Sequence, residues 1–146
     1  MKHTTDDLLG VLQSAEPEKL SQVLAQNEEK LYTQPHPFAV RIRQLLAEHG
    51  QTQKTVLERA GFSLPYGYRL LSEERHTTQR DYILRICIAA GFSCDEVQHL
   101  LQLYGMAPLY PRIPRDAVLL NAIANHMTEL AQVDALLRDA DMEPLR

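Results

Sequence analysis

Cysteine is nearly absent: Cys87 and Cys94 are the two found in 146 residues. Seven apart, they fit neither a C-x-x-C redox pair nor a zinc pair, and they exclude a disulfide framework. They read as small buried apolar residues. Glycine is scarce too, with six residues. No stretch alternates β-branched with polar residues over a strand length, which excludes strands as the framework. Long apolar runs are missing as well. The N-terminal MKHTTDDLLG has no signal-peptide layout, and no segment approaches a membrane span. A soluble, cytoplasmic protein without membrane association is the expectation.

Catalytic signatures are missing in the same way. There is no G-x-S-x-G, P-loop or G-x-G-x-x-G. The six histidines His3, His36, His49, His76, His99 and His126 stand singly, with no H-x-x-x-H or Cys-His spacing. The carboxylate pairs Asp6-Asp7, Glu28-Glu29 and Asp95-Glu96 lie at helix starts or on exposed faces, where capping and solvation account for them. The sequence therefore points to no enzyme, no metal site and no cofactor.

What is present favours helices. Hydrophobic residues make up 45% of the chain, enough for a packed core. Leu, Ala, Gln, Glu and Arg dominate. Charge is unevenly spread. Residues 1–36 carry a net of −3, residues 37–92 a net of +3, and residues 93–146 a net of −4. The total of −4 argues against indiscriminate nucleic-acid binding, and a phosphate-facing surface belongs to the central segment.

Helical signals then follow one another along the chain. A helix over Thr5–Leu12 opens on Asp6-Asp7. A second starts at Pro17 with Leu20, Val23, Leu24 and Leu31 as its apolar stripe. Gln34-Pro35-His36-Pro37 breaks it and is the best linker in the chain. Phe38–His49 buries Phe38, Ile42, Leu45 and Leu46 and stops at Gly50. Thr52 caps a short helix with Val56, Leu57 and Ala60, which Gly61 ends. Ser63 caps another through about Leu71. Thr78 with Asp81 starts a helix ending at Gly91. Ser93 and Glu96 form a capping box for a helix ending at Gly105. After the connector APLYPRIPR come Arg115–Asn125 and Thr128–Ala140. The fold class is all-α, with a core at 37–92, an N-terminal helical extension at 1–36, and C-terminal hairpins at 93–146 packed on the core.

The last part echoes itself. Arg80-Asp81-Tyr82-Ile83-Leu84 leads to Gly91-Phe92-Ser93 and Met106-Ala107-Pro108-Leu109. Arg115-Asp116-Ala117-Val118-Leu119 leads to His126-Met127-Thr128 and Met142-Glu143-Pro144-Leu145. The offset is 35 residues, then 36. A helical hairpin used twice is the expectation. Leu100, Leu101, Leu103, Tyr104, Leu119, Leu120, Leu136 and Leu137 then have two readings: burial between the hairpins, or a homodimer or protein-partner surface.

A helix of about eight residues, a glycine-containing turn and a second short helix have helix-turn-helix spacing. Arg41 through Leu46, Thr52-Gln53, Ala60-Gly61-Phe62-Ser63 and Tyr66 through Leu71 make the chain resemble the Cro/lambda-repressor-type (XRE-like) helix-turn-helix family. Ala107-Pro108-Leu109-Tyr110-Pro111-Arg112 followed by Arg115-Asp116-Ala117, together with Thr5-Asp6-Asp7-Leu8-Leu9, resemble a subgroup of small bacterial regulators. The resemblance implies a lambda-repressor-like core with added N- and C-terminal helices and a role in transcription. Its partner is double-stranded DNA, read in the major groove. The implied base readers are Ser63, Leu64, Pro65 and Arg69, with Gln53 as phosphate anchor.

The residues qualify that expectation. Base reading needs donors and acceptors, and Leu64 and Pro65 offer neither beyond contact with a thymine methyl. Arg69 is the main donor. Ser63, Tyr66 or Tyr68 can reach phosphates, and Arg75 and Arg80 are backbone contacts, with Arg41 and Arg43 nearby. Tyr66 equally fits inward packing. Gly67 weakens its helix by about 1 kcal/mol relative to Ala. Glu73-Glu74 are expected to face the DNA backbone and repel it. A transcriptional regulator with weak or partner-dependent base readout is the leading expectation. A protein-interaction adaptor on the same scaffold is the alternative.

Overall fold

A computed structural model describes residues 2–28, 31 and 35–146. Among the described residues the chain is all-α, with nine α-helices, one 3-10 turn and no strand. None of the helices is long and apolar enough to cross a membrane. The chain divides into two compact units, Met1–Pro35 and His36–Arg146. The break falls inside the expected proline linker, of which Gln34 lies outside the described residues. Residues 93–146 share a unit with the 37–92 segment.

The first unit holds α1 (Lys2–Ser14), a 3-10 turn at Pro17–Lys19 and α2 (Leu20–Gln26). The first helix begins before the expected Thr5, so Asp6 and Asp7 fall in its second turn. Pro17 opens the 3-10 turn as a first-position proline does. The second helix stops at Gln26, short of Leu31, where the Asn27 side chain donates to the Val23 carbonyl at 2.8 Å. Leu9, Val11, Leu12, Leu20 and Leu24 are exposed, and no described side chain of this unit is buried.

The second unit is built from α3 (Pro37–Glu48), α4 (Gln53–Arg59), α5 (Leu64–Leu71), α6 (Arg80–Ala90), α7 (Cys94–Leu103), α8 (Pro114–Ala124) and α9 (Leu130–Asp139). Pro37, read as part of the linker, is the first-turn proline of α3. Phe38, Ile42, Leu45 and Leu46 are buried as their spacing predicts. The most deeply enclosed helix is α6, where Ile83, Leu84, Ile86, Cys87, Ile88, Ala89 and Ala90 are all buried. Its N-cap is Gln79 rather than the expected Thr78. The Thr77 hydroxyl accepts from the Gln79 N–H at 3.0 Å, which starts the helix one residue later. Ser93 and Glu96 form the expected capping box of α7.

The sequence echo is a structural repeat. Copy one is α6, α7 and the tail to Tyr110; copy two is α8, α9 and the tail to Arg146. Gly91 (φ 75°) and His126 (φ 59°) end the first helix of each copy in the left-handed region. The next N–H groups close back alike, Phe92 to Cys87 O at 3.2 Å and Met127 to Ala122 O at 3.1 Å. Gln98 accepts from the Leu109 N–H at 2.7 Å, and Asp134 accepts from the Leu145 N–H at 2.9 Å. Arg80 donates to the Ala107 and Pro108 carbonyls, as Arg115 does to those of Glu143 and Pro144.

The copies also exchange partners. Arg80 pairs with Asp116, while Arg115 pairs with Asp81 through two bonds of 2.9 and 2.8 Å. Asp116 further accepts from the Tyr110 N–H at 3.0 Å, and Asp81 from the Arg146 N–H at 3.1 Å. This reciprocity is the pattern of an isologous interface, formed here within one chain. It engages the Arg80 guanidinium, which the sequence offered as a DNA-backbone contact, with a partner inside the fold. Leu100, Leu101, Leu119 and Leu137 are fully buried, and Leu103, Leu120 and Leu136 are half-buried against the core. Burial accounts for Leu100, Leu101, Leu119 and Leu137.

Two predictions follow from this lock. Asp116 is 1% exposed and satisfies two donors from the other copy. Asp116→Asn should lower unfolding free energy by about 2–4 kcal/mol in urea titrations, since one partner of a buried pair is neutralised. The second prediction concerns acid. Burial pushes the Asp81 carboxyl up, but hydrogen bonds from Arg115 and the Arg146 N–H, with the charges of Arg115 and Arg80, outweigh it and leave it below its ordinary value. Burial likewise pushes Glu96 up, and the Ser93 N–H and His49 outweigh that. With folded-state values below the unfolded ones, this stabilisation is whole above the ordinary carboxylate range and is lost as pH falls through the folded-state values. The urea midpoint should fall below about pH 4, and less steeply in Asp81→Asn.

Candidate nucleic-acid interface

The two short helices α4 and α5 are joined by Ala60-Gly61-Phe62-Ser63. Thr52 caps α4, its hydroxyl accepting from the Thr55 N–H at 3.2 Å. Gly61 leaves the helix at φ 81°, where a side chain is strained, and the Phe62 N–H closes onto the Leu57 carbonyl at 3.1 Å. Arg85 of α6 fixes this turn from beneath. Its Nε and Nη2 donate to the Ala60 carbonyl at 3.0 and 2.6 Å, and its guanidinium lies 4.1 Å from the Phe62 ring centre. Phe62, Tyr66 and Tyr82 pack edge-on or tilted around it, with ring centres 5.5–6.4 Å apart.

The second short helix has a sharply divided surface. Gly67, Leu70 and Leu71 are buried, and Leu64 and Tyr66 are half-buried against the core. Pro65, Tyr68, Arg69 and Ser72 are exposed. At 100° per residue these four fall within an arc of about 100°. Gly67 is what lets the helix sit so low. A Cβ there would lie 2.6 Å from a Leu57 methyl, so any side chain at this position would force Leu57 to shift. Its cost to helix propensity, noted from the sequence, is the condition of that contact.

The expected site residues divide by what holds them. Arg69 and Arg75 are exposed, and among the described residues nothing bonds to either guanidinium. Gln53 begins α4, half-exposed, and Ser63 is exposed at the N-cap of α5 without a side-chain capping bond. Arg41 bonds Gln44 at 3.3 Å and lies 3.8 Å from Glu48. Arg43 is exposed, its Nε on the Ala39 carbonyl at 3.2 Å. Leu64 and Tyr66 face inward, and Arg80 belongs to the lock between copies.

Glu73 reverses its expected role. It takes a left-handed φ of 62° after α5, and its carboxylate is 15% exposed. It accepts from the Ala39 N–H at 3.1 Å, at the first turn of α3. No local side chain caps that helix, so a carboxylate from 34 residues away satisfies an orphan N–H and meets the positive end of the dipole. Glu74 alone of the pair is exposed.

Sequence reasoning missed three structural supports of this surface. Arg85 was legible as a lone charge in the apolar run Ile83–Ala90, a position that demands buried partners. Tyr104 was read only as apolar; its hydroxyl accepts from the Thr77 N–H at 2.8 Å and donates to the Arg75 carbonyl at 3.5 Å. It thereby holds the loop that carries Arg75. Arg59, exposed on α4, reaches Thr128 at 3.1 Å. The cysteines carry no reactive signature: Cys87 is buried, and burial with the Glu96 charge pushes its thiol up to about 12. Burial, then the Asp95 charge, raises Cys94 too. No family model matches the chain, and neither a curated protein nor a solved structure does.

The seat of α5 is directly testable. Gly67→Ala should lower stability by about 1–3 kcal/mol through overpacking against Leu57, although alanine is the better helix former. A melting temperature at or above that of the parent would show that Leu57 yields freely.

Proposed function

We propose that the chain is a DNA-binding transcriptional regulator of helix-turn-helix type, with α4 as the supporting helix and α5 laid into the major groove. The observation that carries this reading is the outer face of α5. It presents Pro65, Tyr68, Arg69 and Ser72 to solvent on a helix whose other side is packed against the core. Arg69 supplies the guanine-reading donor. Arg75, Gln53, Ser63 and Arg43 supply phosphate contacts around it. The inward turn of Glu73 supports the reading, since it removes one of the two carboxylates expected to repel a duplex. Base readout is weak, because Arg69 is the one cation on the reading face. A place in the cytoplasm, beside the DNA of a bacterial cell, belongs to the same proposal.

The rival reading is an adaptor that binds a protein through the same face. Tyr68 is 41% exposed, and with Pro65 it makes half of that face apolar.

Titration of purified protein against the duplex upstream of its own coding region, at low and at moderate salt, separates the two. Retardation at low salt is expected. Arg69→Ala should weaken the preferred duplex by about 1–3 kcal/mol and flatten discrimination among sequences. Arg75→Ala should weaken all duplexes alike and reduce the salt slope by about 1. No retardation at low salt, with a protein partner retained on the same face, would favour the adaptor.

A further inference from the structure

The face of α5 is unusual in what it offers a base edge. Its donors are the Arg69 guanidinium and the Tyr68 and Ser72 hydroxyls, and the last already donates to the Arg69 carbonyl at 3.3 Å. The rest is the Pro65 ring and the aromatic body of Tyr68. Leu64, the other apolar residue at this end, is half-buried against the core. On the major-groove edges of the four bases, one group is apolar: the C5-methyl of thymine.

We infer that the face selects thymine methyls beside a guanine, Pro65 and Tyr68 contacting the methyls and Arg69 the guanine. The inference rests on the DNA-binding reading above and sharpens it. Pro65 and Arg69 are four residues apart, so they stand about 6 Å apart along the helix axis. Base pairs are spaced about 3.4 Å along a strand. A helix lying along the groove therefore sets the methyl met by Pro65 about two steps from the guanine, while Tyr68, about 1.5 Å from Arg69 along the axis, meets a methyl next to that guanine. The hydrophobic contact is carried by exposed positions, so altering it leaves the Leu57–Gly67 seat and the Arg85 clamp in place.

The test uses the full chain and duplexes recovered by selection from a randomised library. Each thymine of the recovered duplex is replaced in turn by deoxyuridine, which removes the methyl and leaves the hydrogen-bonding edge unchanged. One or two positions should lose about fourfold in affinity each, the worth of one buried methyl group. The double variant Pro65→Ala, Tyr68→Ala should bind thymine and deoxyuridine duplexes equally while keeping its guanine preference. Arg69→Ala should do the reverse. The deoxyuridine series on the unmodified protein needs no variant to fold. Equal affinity for the thymine and deoxyuridine duplexes would overturn the inference and leave DNA binding standing. Binding at low salt with no enriched sequence would do the same. Failure to bind any duplex at low salt would remove the DNA-binding reading itself.

Discussion

The surface that matters most depends on one contact, the Leu57 side chain beneath Gly67. The fifth helix has eight residues, fewer than the roughly 12–15 an isolated helix needs to persist in water. It also carries a glycine, which costs about 1 kcal/mol relative to alanine. Its order therefore comes from packing. Leu70 and Leu71 anchor its C-terminal half, and the missing Cβ lets its middle settle onto α4. Arg85 holds the preceding turn by its carbonyl and its aromatic ring. The outer residues are presented only because the inner ones are fixed this tightly.

The second helical hairpin supports that arrangement at a distance. Copy one is covered by α4 packed on α6 and by α3 packed on α7. Among the described residues of the second unit, copy two has no counterpart of those helices, and its sequence differs accordingly. Where copy one has buried Ile86 and Ala90 and half-buried Leu103, copy two has exposed Asn121, Asn125 and Asp139. The duplicate thus keeps the face that meets its sister and turns its other face to water, as a terminal repeat must. Its own contacts run back to the first copy and to α4: Arg59 of α4 bonds Thr128, and the Arg146 carbonyl accepts from Arg85 at 2.8 Å. A residue that clamps the turn is itself held by the end of the second copy.

Periodicity made the fold class legible, and glycines and caps made most helix boundaries so. Gly50, Gly61, Gly91 and Gly105 each end a helix with positive φ, where the sequence placed them. The internal echo was legible as well, though the reciprocal pairing of Arg80 with Asp116 and Arg115 with Asp81 was not. Position along a chain does not say that two like dipeptides face each other. The site was less legible for a related reason. Glu73 looked like a repulsive surface charge because its neighbours in sequence are exposed, yet its partner is the Ala39 N–H. Gly67 looked like a weak point because propensity is local, whereas its value lies in the helix beside it.

The same distinction between formal and available charge governs the field at α5. The +3 of residues 37–92 counts every cation and carboxylate equally. Arg59, Arg80 and Arg85 are engaged within the fold, as is Glu73, while Asp81 is held by Arg115. Among the described residues, Arg43, Lys54, Arg69 and Arg75 keep exposed charges with no carboxylate partner, against Glu58 and Glu74. Laid on a duplex, a surface with so few free cations would release few counterions, and its affinity would be modest and its dependence on salt shallow. Under the DNA-binding proposal, discrimination then falls to short-range contacts, which salt screens least. On this helix those are one guanidinium and an apolar patch, which is why the character of the outer face, more than its charge, decides what it selects.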